Sequence, residues 1–133
     1  MLSFAVTAFE EMSPARLHGE RFLKSILAAI THPAIDEIVA VDDGSADWRY
    51  FEELVEAVNC RGKLRLYHND HNLGVFGNKL EAKARCTNEW VITCDSDNFM
   101  GRSFIDKILE QDLNPDVWYC PSFARPDFDY RVL

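Results

Sequence analysis

Acidic residues stand in two short polar segments that could bind a cation or a polar ligand. Asp95-Ser96-Asp97 follows an apolar run, and Asp42-Asp43 precedes a glycine and a serine. Because alternate residues of a strand share one side, both carboxylates of the first segment could face one ion. Such oxygen ligands suit Mg²⁺ or Mn²⁺, which keep several waters and bridge to phosphates. The segment predicts a divalent cation site, unless Asp95 only caps a turn or the next helix.

The second segment, Asp42–Asp47 (DDGSAD), has features of a turn and of a ligand site. Gly44 permits a left-handed turn, and Ser45 or Asp47 can cap the following helix. Capping accounts for Asp47 but not for two consecutive acids before the glycine. One of those acids is therefore free to accept a hydrogen bond, for example from the imide N–H of a pyrimidine base or from a ribose hydroxyl.

The elements that must position these acids follow from the apolar periodicity. Five runs have strand character, at Leu2–Phe9, Ile35–Val41, Leu64–Tyr67, Trp90–Cys94 and Asp116–Ser122. Four helical stripes lie between them, at Phe22–Ile30, Phe51–Val58, Phe76–Ala84 and Phe104–Leu109. This alternation predicts an α/β fold, a mostly parallel sheet with helices on both faces, followed by a loop-like tail over 123–133. Ligands of such sheets bind beyond the carboxyl ends of the strands, where these acids should meet.

Composition narrows the class of protein. The chain of 133 residues is predicted to form a single domain over 1–133, and its net charge of −8 argues against nucleic-acid binding. The sequence contains neither a membrane-spanning apolar run nor a signal peptide, which favours a protein with reduced cysteines that lies in the cytoplasm or peripherally at its membrane. Glu10 and Glu11 follow the first strand, so acids from three strand ends should repel one another unless a cation offsets their charge.

Four segments resemble, in this order, the motifs of the family-2 glycosyltransferases with the GT-A fold. They are Thr7-Ala8-Phe9, Val39–Asp47, Asn72–Val75 and Thr93–Asn98. The resemblance covers residues 2–122 and implies a Rossmann-like three-layer sandwich, truncated after the fifth strand. It further implies metal-dependent, inverting transfer of a sugar from a nucleotide-diphospho-sugar donor to a saccharide or other hydroxyl acceptor, with Mn²⁺ or Mg²⁺ as cofactor.

The resemblance also implies roles for individual residues of the donor site. Thr7 and Phe9 would flank the nucleotide base, with Phe9 stacking on it in place of the family's tyrosine. Asp43 would hydrogen-bond the base, and Asp42 would support the turn or bind the ribose.

Three further positions would face the diphosphate and the sugar. Asp97 would ligate the metal, while Asp95 would contact the ribose or sugar, or ligate through water. Gly77-Asn78-Lys79 stands where the family usually has an arginine, so Lys79 would be a partner of the diphosphate or of a carboxylate.

No general base can be assigned from the sequence. In the family, the general base comes from the part of the chain that follows the half ending in the D-x-D motif, which is Asp95-Ser96-Asp97 here. Asp116, Asp127 and Asp129 are better explained as loop or strand-start residues. The chain is therefore expected to hold only the donor-binding half of a glycosyltransferase. The alternative is a non-catalytic module that binds a nucleotide or nucleotide-sugar. An uncovered sheet edge would favour homo-oligomers.

Overall fold

The computed structural model describes residues 1–9, 17–46, 48–58, 62–120, 123–124 and 128–129. The sequence-based predictions for Glu10, Glu11 and Asp47 lie outside these residues. The chain divides into two compact units, Met1–Met100 and Gly101–Leu133. All the candidate site residues that the structure describes belong to the first unit.

Within its described residues, the first unit contains four strands and three helices. These are β1 (Leu2–Ala8), α1 (Leu17–Thr31), β2 (Ile35–Asp42), α2 (Trp48–Val58), β3 (Leu64–His68), α3 (Gly74–Ala84) and β4 (Trp90–Asp95). The strands form one parallel sheet in the order β3-β2-β1-β4. The predicted α/β class is confirmed for this unit. Since β1 lies between β2 and β4, the carboxyl ends of these three strands are neighbours.

Helices cover both faces of the sheet. On one face, Ala82 of α3 packs with Ala5 and with the valines of β2 at positions 39 and 41. Phe4 and Val6 alternate with Ala5 and are fully buried, so the opposite face is covered as well. Helix α1 packs against β1 and β2, and the ring of its Phe22 lies 4.3 Å from that of Phe51 in α2. The near-continuous apolar runs of β1 and β2 are what a sheet buried on both sides requires.

The third predicted helix is confirmed as α3, but two of the apolar residues that indicated it do not face the sheet. Phe76 and Leu80 are 84% and 69% exposed, and the helix buries Asn78 and Ala82 instead. The physical reason is the surface that α3 meets. Small Ala82 allows close approach to the sheet, and the buried amide of Asn78 donates hydrogen bonds to the backbone carbonyls of Ala8 and Val41.

The second unit begins with α4 (Arg102–Leu109), which matches the fourth predicted helix. The predicted fifth strand, Asp116–Ser122, is wrong over residues 116–120, and 121–122 lie outside the described residues. Asn114 provides the reason, because it closes a turn. Its side-chain Oδ1 accepts a hydrogen bond from the Asp116 backbone N–H, and its own backbone N–H donates to the Tyr119 hydroxyl. The tail holds a short antiparallel pair, β5 (Phe123–Ala124) and β6 (Phe128–Asp129), where a loop is predicted. Across the described parts of both units, no helix has the length and apolar character needed to cross a membrane.

A buried carboxylate joins the strands of the first unit at their amino ends. Glu37, near the start of β2, accepts hydrogen bonds from the Ser3 hydroxyl, from the Thr87 backbone N–H at 2.7 Å and from the Thr87 hydroxyl at 3.1 Å. It also forms an ion pair with Arg65 of β3. One side chain therefore links β1, β2, β3 and the segment that leads into β4.

Candidate functional site

The strand register brings the predicted acids to one end of the sheet. Asp42 pairs with Ala8 of β1, and Asp95 pairs with Thr7. The acids of β2 and β4 therefore lie on either side of β1 at nearly the same level. Phe9 follows β1 directly, and its side chain is 47% exposed.

Asp42 is buried and holds the turn that follows β2. Its carboxylate accepts hydrogen bonds from the Ser45 backbone N–H at 2.9 Å and from the Ser45 hydroxyl at 2.6 Å. His68 Nδ1 lies 2.7 Å from its Oδ2. Gly44 within the turn has φ of +80°, and an added Cβ would come 2.9 Å from the backbone of His71. The turn therefore depends on both Asp42 and Gly44, and the contacts of Asp42 are those of a turn-supporting residue.

Asp43 is a buried carboxylate, only 2% exposed, that is held through one of its two oxygens. Oδ1 accepts hydrogen bonds from Asn69 Nδ2 at 2.9 Å and from the Leu73 backbone N–H at 2.8 Å. Within the residues that the structure describes, Oδ2 accepts no hydrogen bond. An ionised carboxylate can accept several, so Asp43 has an anchored orientation and a remaining acceptor.

Two asparagines that the sequence reasoning missed complete this network. Asn78 Nδ2 donates to the backbone carbonyls of Val41 at 3.2 Å and Ala8 at 3.4 Å. Asn78 Oδ1 accepts from Asn69 Nδ2 at 3.1 Å, so the network reaches Asp43 through Asn69. One signal in the sequence could have indicated the buried face of α3. Asn78 and Ala82 are four residues apart and therefore lie on the same face of the helix.

His68 is a third residue whose position the sequence did not indicate. Its ring stacks on that of Trp48, with centroids 4.8 Å apart and planes at 18°. The same ring contacts Asp42, so α2 is tied to the strand end through this histidine.

Asp95, Thr7 and Lys79 form a second cluster, at the end of β4. Lys79 Nζ lies 2.9 Å from Asp95 Oδ1 and 3.1 Å from Oδ2. The hydroxyl of Thr7 donates to Oδ1 at 3.1 Å. Both oxygens of Asp95 thus already have donors, and the carboxylate that Lys79 contacts in this structure is that of Asp95.

Asp97 has a different environment from Asp95. Strand β4 ends at Asp95, and the Asn98 N–H closes a turn onto the Asp95 carbonyl at 3.0 Å. Strand alternation therefore does not extend to Asp97, and the argument that alternation lets both acids face one ion is wrong. The side chain of Asp97 is exposed and makes no hydrogen bond or ion pair with any described residue.

The chemistry of these donors allows a limited kind of metal binding. Among the described residues, no group of three or more His, Cys, Asp or Glu side chains could hold an ion on its own. Burial, followed by the charges of Asp95 and Asp97, raises the pKa of the Cys94 thiol to about 12, so this thiol is protonated in the free chain at neutral pH. The exposed carboxylate of Asp97 is a hard oxygen ligand of the kind that Mg²⁺ or Mn²⁺ uses together with waters and substrate phosphates. The site therefore fits a cation that arrives with a phosphorylated ligand.

Comparisons with known proteins agree with this geometry. The sequence model described as glycosyl transferase family 2 matches residues 3–131. Among solved structures, the fragment 1–349 of S. aureus TarS is similar with a TM-score of 0.64 and 21% identity, over 81% of this chain and 31% of that one. The same fragment in complex with UDP-GlcNAc gives a TM-score of 0.64 and 23% identity, over 81% and 30% of the two chains.

The complex of that fragment with UDP gives a TM-score of 0.61 at 22% identity, with the same coverage of 81% and 30%. Among curated proteins, none matches the sequence significantly. The chain spans about a third of the length of the TarS fragment. At these identities the structural likeness shows a shared fold, which confirms the predicted GT-A class.

Proposed function

The chain belongs to glycosyl transferase family 2, and on this basis we propose that it binds a uridine-diphosphate sugar and transfers the sugar to an acceptor hydroxyl. The observation that carries the proposal is Asp43, a buried carboxylate at the carboxyl end of a parallel sheet, anchored through Oδ1 and able to accept through Oδ2. The complexes of the similar TarS fragment with UDP-GlcNAc and UDP support this class of donor.

The base would bind at the ends of β1 and β2. Asp43 Oδ2 would accept the imide N–H of uracil, and the exposed ring of Phe9 would stack on the base. Thr7 would flank the base from β1, where its hydroxyl already bonds Asp95. Asp42, whose oxygens are occupied by the turn and by His68, would act by keeping Asp43 in place.

The diphosphate and the sugar would lie toward β4. Asp97 would hold Mn²⁺ or Mg²⁺ together with the phosphates, and Asp95 would contact the ribose or sugar. When bound, such an ion supplies Lewis-acid stabilisation of the charge that develops on the departing diphosphate. The positive charge of Lys79 would lie near the same leaving group, since the lysine is held at Asp95.

Sugar transfer further needs a carboxylate that removes the proton from the acceptor hydroxyl, on the face opposite the leaving group if the reaction inverts. Among the described strand-end acids, Asp42 and Asp95 hold protein groups through both oxygens, while Asp43 and Asp97 are assigned here to the base and to the metal. This observation favours a second candidate function, a module that binds the donor without transferring it. Donor hydrolysis and transfer assays separate the two, because only the transferase turns the donor over.

Binding of UDP should stabilise the chain in a metal-dependent way. At about 100 times its dissociation constant, a ligand adds about 2.7 kcal/mol to the free energy of unfolding, which raises Tm by about 5–10 °C for a domain of this size. We expect this shift in thermal denaturation with UDP plus Mn²⁺ and a smaller one with UDP alone. If UDP, with or without Mn²⁺, leaves Tm unchanged, the proposed donor class is wrong.

Replacing Asp97 by alanine should remove the metal-dependent part of this stabilisation. The reason is that Asp97 is the exposed strand-end acid that is not engaged with any described residue. UDP titrations with and without Mn²⁺ should then give equal dissociation constants for Asp97→Ala. Asp112→Ala, which removes an exposed acid of the second unit, should behave like the wild type. An unchanged metal response in Asp97→Ala would instead make Asp97 only a turn residue.

A further inference from the structure

A cation of the protein itself already occupies the first acid of the Asp95-Ser96-Asp97 segment. Lys79 Nζ bridges both oxygens of Asp95, at 2.9 and 3.1 Å. The Thr7 hydroxyl adds a third hydrogen bond, at 3.1 Å. In this arrangement the charge of Asp95 is compensated, and neither of its oxygens is left without a donor.

The position of Lys79 follows from the fold. Its neighbour Asn78 is buried and bonded to the ends of β1 and β2, which sets the height and rotation of α3 over the sheet. Asp95 is fixed from the other side by Thr7 and by its place in β4. The side chains of Lys79 and Asp95 are 37% and 40% exposed, so solvent partly screens the pair, but the hydroxyl of Thr7 and the position of α3 restrict where the two charges lie.

A divalent cation near this strand end would meet two unlike acids. Asp97 is exposed and has no described partner. Asp95 is instead paired with the Lys79 ammonium group, whose positive charge repels a second cation. Binding through both acids would require Lys79 to leave.

We propose that Lys79 is a built-in counter-ion that keeps Asp95 out of metal coordination, so that a divalent cation binds at Asp97 only together with the diphosphate. This inference rests on the proposed function for the identity of the phosphorylated ligand. Its consequence is an order of binding: the free chain does not take up the metal, and the donor brings it. Lys79 is thus a positioning residue that determines which acid contacts the metal.

Titration with Mn²⁺ alone tests the role of Lys79 without any turnover. Free Mn²⁺ can be followed by its electron paramagnetic resonance signal, in the absence of nucleotide. Lys79→Met removes the charge and keeps an unbranched apolar stem, so it should bind Mn²⁺ roughly tenfold or more tightly than the wild type, because the ammonium group no longer occupies the Asp95 carboxylate or repels the ion. Lys79→Arg keeps the charge and should match the wild type. Adding Asp95→Asn to Lys79→Met should abolish the gain.

Two results would overturn the inference. One is a Lys79→Met chain, folded by circular dichroism, whose Mn²⁺ affinity equals that of the wild type. The other needs no variant: wild-type chain that binds Mn²⁺ equally well with and without UDP. Failure of the proposed function would give a different result. The wild type would then not bind UDP at all, but Lys79→Met would still bind Mn²⁺ more tightly than the wild type in the absence of nucleotide.

Discussion

The Asp43→Asn chain is expected to bind UDP about 10- to 100-fold more weakly than the wild type, with little change in Tm. Asparagine keeps an oxygen that can accept from Asn69 and from the Leu73 N–H, so the anchoring contacts survive. Its amide nitrogen replaces Oδ2, and a donor there faces the imide N–H of the base. The lost charged hydrogen bond is worth about 1.5–3 kcal/mol, which sets the size of the effect.

Isothermal titration with UDP and Mn²⁺ measures this loss. Asp70→Asn makes the same chemical change at an exposed position in the loop after β3 and should leave the affinity unaltered. Equal UDP affinity in Asp43→Asn and the wild type would remove Asp43 from the base site. A large drop in Tm would show that the carboxylate mainly holds the loop.

Truncating Glu37 should give the largest loss of stability. In Glu37→Ala, the Ser3 hydroxyl and the Thr87 N–H lose their acceptor, and Arg65 loses its ion pair. Leaving the buried Ser3 hydroxyl unpaired costs about 1–3 kcal/mol, and the exposure of Thr87 and Arg65 reduces the contributions of their contacts. We expect the free energy of unfolding to fall by about 3 kcal/mol.

Urea denaturation followed by circular dichroism gives the free energy. Glu89→Ala removes an exposed glutamate close to the same loop and should change it by less than about 0.5 kcal/mol. Glu37→Gln retains one acceptor and should lie between the two. A Glu37→Ala chain as stable as Glu89→Ala would mean that the network at the amino ends of the strands is replaced by water at no cost.

The strands and the acidic turn were predictable because their signals are local. A run such as Leu2–Ala8 can be buried on both sides only in a parallel sheet covered by helices, and Asp42 before Gly44 indicates a turn whatever follows. The strand order then places the acids at one end of the sheet without further information.

The details that failed depend on the surfaces that meet in the folded chain. The stripe of Phe76 and Leu80 correctly indicates a helix, yet which face is buried depends on the carbonyl groups that Asn78 reaches. Similarly, residues 117–120 are apolar and have the composition of a strand, but the hydrogen bonds of Asn114 hold this segment in a turn instead. The resemblance implies a diphosphate or carboxylate partner for Lys79, but which carboxylate it contacts depends on how high α3 lies on the sheet, which no local pattern encodes.

Asn78 also bears on how this end of the sheet opens. Lifting α3 from the sheet would strip hydrogen-bond donors from the carbonyls of Ala8 and Val41 and an acceptor from Asn69, which in turn holds Asp43. Partial opening of the helix is therefore costly unless the loop after β3 opens with it. We therefore expect the two segments to exchange their amide protons with solvent as one cooperative unit, so that a nucleotide bound at Asp43 slows exchange in α3 even without touching that helix.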